Sequence, residues 1–72
     1  MTPAQCRAAR ELLGMTQFEL AGLAAIPMAL IADFELGIRK LRAAELVALQ
    51  RTLERAGVEF TDDGQTGVRL RK

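Results

Sequence analysis

The chain has 72 residues, half of them apolar and 26% charged, a balance that fits one small folded domain and excludes a disordered tail. Ten Lys and Arg stand against nine Asp and Glu, so a net charge of +1 excludes nucleic-acid binding by bulk charge and requires local placement of cations. The one cysteine, Cys6, excludes an internal disulfide, and the lack of histidine excludes a Cys–His nucleophile and the usual zinc sets.

Thr2-Pro3-Ala4-Gln5 predicts the first helix start: Thr2 caps, Pro3 suits the first helical position, and Gln5 closes a capping box. This helix runs to about Leu13, with Ala8, Ala9, Leu12 and Leu13 as its apolar stripe and Gly14 as its left-handed stop. Arg7, Arg10 and Glu11 are read as its solvated face, with an Arg7–Glu11 pair. Thr16 to Glu19 is a second capping box, opening a short helix that ends near Ala24. Phe18 and Leu20 cannot share one face of it, so one of them is expected to pack on a neighbouring helix. Ala21 and Ala24 are small enough for close helix approach.

Pro27 suits the first turn of a third helix that runs to about Glu35, with Ile31 and Phe34 inward and Gly37 as its end. Ile38 to Arg42 is a short basic loop. A fourth helix is expected over Glu45 to Ala56, with Leu46, Leu49, Leu53 and Ala56 on one stripe and Gly57 as its stop. Arg51, Glu54 and Arg55 form its solvated face. The period then changes from helix to strand. Val58-Glu59-Phe60 and Val68-Arg69-Leu70-Arg71 alternate apolar and polar, with the turn formers Asp62 and Asp63 between them. The pattern predicts a hairpin with Val58, Phe60, Val68 and Leu70 on one face, and Arg69 and Arg71 on a polar face with Lys72 beyond them. A lone hairpin is marginal, so it must lie on the helices or on a partner chain. The fold class is therefore all-α: a four-helix domain over residues 1–57 with a small β-hairpin extension over 58–72.

The central block, Gln17 to Gly37, puts two short helices around a tight turn at Ala24-Ala25-Ile26, with Ala21 packed under it. That is the pattern of a helix-turn-helix, whose second helix enters a DNA major groove. Leu12-Leu13-Gly14, Thr16-Gln17, Leu20-Ala21 and the run Ile31-x-x-Phe34-Glu35-x-Gly37 together resemble the Xre-type, lambda-repressor-like family over roughly residues 4 to 56. The ending from Ala56-Gly57-Val58 to Val68-Arg69-Leu70 also resembles short bacterial proteins of this type. The resemblance implies a small bacterial transcription regulator that binds double-stranded DNA as a homodimer in the cytoplasm. It implies that Gln17 meets a phosphate, that Met28, Ala29, Leu30 and Asp33 face the bases, and that Arg39, Lys40 and Arg42 lie along the backbone.

The chain departs from the family where bases are read. Pro27-Met28-Ala29-Leu30 replaces a polar stretch, and Ala25 stands where a glycine is usual in the turn. No Arg, Asn or Gln lies in the 27–35 segment to make a bidentate base contact. Two readings stay open. In one, the apolar residues touch thymine methyls and Asp33 accepts from a cytosine amino group. In the other, Met28, Leu30, Leu36 and Ile38 form an apolar patch for a protein partner, such as another transcription factor. Leu41 is either part of that surface or core. No apolar run approaches the roughly 18 residues needed to cross a bilayer, and the N-terminus lacks a secretory pattern. No phosphate-cradling glycine loop or acid–base pair is present, so neither an enzyme nor a cofactor is expected.

Overall fold

The computed structural model describes residues 1–61 and 67–71. In chain order it contains α1 (Pro3–Leu12), α2 (Gln17–Ala24), α3 (Met28–Glu35), α4 (Ala43–Ala56), β1 (Val58–Phe60) and β2 (Val68–Leu70). The chain is thus mostly helical, with a two-stranded antiparallel hairpin after the last helix. The predicted turn formers Asp62 and Asp63, and Lys72, lie outside the described residues.

Both predicted capping boxes form. Thr2 Oγ1 accepts from the Gln5 amide at 3.1 Å, and Gln5 Oε1 accepts from the Thr2 amide at 2.9 Å. The same exchange joins Thr16 and Glu19, at 3.0 and 2.8 Å. Each satisfies two amides that a helix start leaves without partners. Helices α1 and α3 end alike. Past α1, the Gly14 and Met15 amides donate back to Glu11 and Arg10, and past α3 the Gly37 and Ile38 amides donate back to Phe34 and Asp33. This double bond needs a left-handed residue, which Gly14 (φ 66°) and Gly37 (φ 79°) supply. Between α2 and α3 the left-handed residue is Ala25 (φ 57°), the one non-glycine residue with positive φ among those described. Its Cβ meets the following carbonyl, a strain that glycine avoids.

Helix α4 starts two residues earlier than expected. Glu45 is not its first residue but its third, and its carboxylate accepts from the Arg42 amide at 2.9 Å. An arginine has no acceptor to offer as a cap, so only this half of the box exists.

The core gathers Cys6 and Ala9 from α1, Leu20 from α2, Ile31 and Phe34 from α3, Leu49 and Leu53 from α4, and Ile26, Leu41 and Val58. The inward stripe of α1 therefore differs from the expected one: Cys6, Ala9 and half-buried Leu13 face in, while Leu12 is exposed. On α4, Ala56 lies outside, because the helix ends where β1 turns away. Leu20 takes the core position on α2 and leaves Phe18 74% exposed rather than packed on a neighbour.

The hairpin rests on α1 and α4. Val58 pairs with Leu70 and Phe60 with Val68, which puts all four on one face as expected. Burial falls off along that face, from Val58 at 0% to Leu70 at 53% exposed. Buried Gln5 fastens the end where the strands lead into their connection: its Nε2 donates to the carbonyls of Thr61 (3.3 Å) and Gly67 (3.2 Å).

Candidate functional site

The site is built where the N-terminal ends of α2 and α3 meet. The Thr16 box fixes the entry of α2 and places Gln17 in its first turn. Gln17 is half-buried, and its Nε2 donates to Glu35 Oε1 at 3.0 Å. Glu35 also takes two parallel bonds from Arg10, Nε to Oε2 and Nη2 to Oε1, both 2.9 Å. Arg10 Nη1 adds the Met15 carbonyl at 3.0 Å, and Cys6 Sγ approaches Glu35 Oε2 at 3.4 Å. The Arg10 and Glu35 side chains are only 15% and 4% exposed. This corrects the reading of Arg10 as part of a solvated face. The expected Arg7–Glu11 pair does exist, at 3.6 Å in the open.

The electrostatics follow from this geometry. Burial alone would raise the Glu35 carboxyl, but hydrogen bonds from Arg10 and Gln17 and the Arg10 charge outweigh it and hold the carboxyl below its ordinary range. Cys6 is pushed up to about 12 by burial first and then by the neighbouring Glu35 charge. A thiol held there stays protonated and unreactive. Gln17 keeps one Nε2 hydrogen beyond the one given to Glu35, so a fixed donor remains at the start of α2.

Around this point lie the expected base-facing residues. Gln17, Phe18 and Met28 border one shallow depression, while Phe18, Leu23, Pro27 and Met28 line an apolar groove of about 610 Å³. Met28 is 47% exposed, Ala29 is exposed and Asp33 is partly exposed. The Asp33 carboxylate has no hydrogen bond or ion pair among the described residues. Leu30 differs from its neighbours in packing against the core, so only part of its side chain is open. Pro27 gives α3 no side-chain cap.

Beyond α3, Leu36 and Ile38 are each 71% exposed, and Leu41 is core. Arg39 and Lys40 are exposed, with no partner among the described residues. Arg42 is exposed too; its backbone amide is spent on Glu45. The structure therefore brings Gln17 and Met28 together and sets Leu36 beside Gln17 and Ala32.

Two exposed residues, Phe18 and Leu23 (65%), belong to the surface but were not singled out from the sequence. The signal lay in Gln17–Ala24 itself, where five of eight residues, Phe18, Leu20, Ala21, Leu23 and Ala24, are apolar and spread around the helix. A helix that is apolar nearly all round cannot be covered on every side in so small a domain.

Among the described residues, no helix is long and apolar enough to cross a membrane, and no group of three His, Cys, Asp or Glu could hold a metal. No family model and no curated protein matches the chain.

Proposed function

We propose that this chain is a lambda-repressor-like helix-turn-helix domain that binds double-stranded DNA, with α3 in the major groove, as a homodimer in bacterial transcription control. It acts in the cytoplasm, without a cofactor and without catalysing a reaction. The observation that carries this reading is the α2–α3 unit. Two eight-residue helices are joined through left-handed Ala25, Gln17 and Met28 at their starts border one depression, and exposed Arg39 and Lys40, without a partner among the described residues, follow α3. In such a unit the amide at a helix start meets a phosphate, and free cations replace condensed counterions along the backbone.

Replacing both Arg39 and Lys40 with Ala tests it. Affinity should fall for every DNA sequence alike, and the slope of log affinity against log salt should flatten by about one to two units. An unchanged slope contradicts the placement of these cations on the backbone.

A second reading is favoured by the exposure of Leu36 and Ile38 at 71% each, beside Met28 and the open part of Leu30. In it the same face docks a protein, such as another transcription factor, in place of DNA. Leu36→Asp then abolishes capture of that partner, and the unaltered chain does not bind DNA at low salt; the DNA reading gives salt-dependent DNA binding instead.

A further inference from the structure

We infer that the outward face of α3 selects 5-methylcytosine in the major groove. This rests on the DNA-binding reading of the same face.

Residues 28–35 read Met, Ala, Leu, Ile, Ala, Asp, Phe and Glu, and at neutral pH none offers a side-chain donor. Ile31 and Phe34 are buried, Leu30 packs on the core, and Glu35 is committed to Arg10, Gln17 and Cys6. Met28, Ala29, Ala32 and Asp33 remain, which is three apolar groups and one acceptor. The acceptor is available, because the Asp33 carboxylate has no partner among the described residues.

The groove edges of the bases sort against this set. Guanine offers only the acceptors N7 and O6, which find no side-chain donor on α3. Thymine offers a methyl but places the O4 lone pairs toward a carboxylate. Adenine pairs its amino donor with an acceptor at N7. Cytosine offers the N4 amino donor, with no acceptor of its own on that edge. A methyl on C5 stands on the ring atom next to C4, which bears that amino group. One base then supplies an apolar group and a donor side by side.

The helix supplies the complement at the same scale. Ala29 and Asp33 are four residues apart on one face, with Cβ atoms about 5–6 Å from each other. Helical side chains lean toward the N-terminus, so the Asp33 carboxylate lies over the turn that holds Ala29. An acceptor therefore sits next to a methyl. Met28, 47% exposed and unbranched, adds a flexible apolar wall. The cost of a carboxylate near phosphates is offset when it accepts from N4, and by Arg39 and Lys40, nearby in the chain and without a partner among the described residues.

The test titrates the full chain with two random-sequence duplex pools at one salt concentration, identical except that cytosine is replaced by 5-methylcytosine in one. The methylated pool should bind about fivefold tighter or more, the equivalent of one good base contact. Ala29→Gly, which removes the facing methyl, should bring the ratio toward one; Asp33→Leu, which removes the acceptor for N4, should weaken binding to both pools. Ala29→Ser, which sets a polar hydroxyl against the base methyl at small cost to the helix, should also lower the ratio, so the test stands even if Ala29→Gly weakens the helix. A ratio of one in the unaltered chain, with salt-dependent binding intact, overturns this inference and leaves the DNA reading in place. Failure to bind either pool at low salt overturns both.

Discussion

Two regions that meet at the start of α2 are built on opposite plans. Beneath Gln17, the Arg10–Glu35 pair is enclosed between α1 and α3, and every hydrogen-bonding group on Glu35 has a partner. Above it, Phe18, Leu23, Met28, Leu36 and Ile38 stand in water, exposed between 47% and 74%. Charge is inside and apolar surface outside, the reverse of the usual partition. The comparison separates two jobs. The buried pair holds α1, α2 and α3 in one relative placement, since only that placement satisfies Arg10, Gln17 and Glu35 together. The exposed residues contribute little to that placement.

The largest effect should come from breaking the enclosed pair. Arg10→Met leaves a carboxylate buried without its cation and should cost about 3 kcal/mol in urea unfolding. Adding Glu35→Leu to it should recover most of that loss, because an apolar pair asks for no compensation. A loss well under 1 kcal/mol in the single variant would mean that the network does not hold the helices.

The same pair gives a pH signature. The Glu35 carboxyl titrates lower in the folded chain than its ordinary value of 4.5. Its stabilisation is therefore complete above 4.5 and disappears as pH falls through the lower, folded value. Acid unfolding of the unaltered chain should include this component, and the Arg10→Met, Glu35→Leu double variant should lack it.

A smaller gain is expected at the turn. Ala25→Gly relieves a left-handed Cβ contact and should stabilise the fold by about 1 kcal/mol, read as a raised urea midpoint at unchanged slope. A loss would show that the Ala25 methyl contributes more by packing than it costs in strain. The smallest effect sharpens the contrast with the enclosed pair. Leu36→Asp should change stability by less than about 0.5 kcal/mol, as exposed positions do.

The sequence was most readable where cause and effect are three or four residues apart. The two threonine boxes and the glycines after α1 and α3 are local devices, and all of them form. Arg10 was misread for the same reason. Its nearest acidic neighbour is Glu11, while its actual partner is Glu35, 25 residues away, and no spacing rule reaches that far. Gln5 shows both cases at once: its box with Thr2 was legible, but its bonds to Thr61 and Gly67 exist only once the hairpin folds onto α1. The exposure of the candidate residues was legible, but not how they group. Met28, Ala29, Arg39 and Lys40 are exposed and Asp33 is partly so, whereas Phe18 joins them because Leu20 takes the core position on α2.

The most direct test of the central claim is binding of the unaltered chain to a random-sequence duplex pool at low and at moderate salt, with sequencing of what is retained. Binding should weaken as salt rises, and the retained pool should share a motif. No binding at low salt would contradict the claim and leave the apolar face of α2 and α3 as a surface for protein.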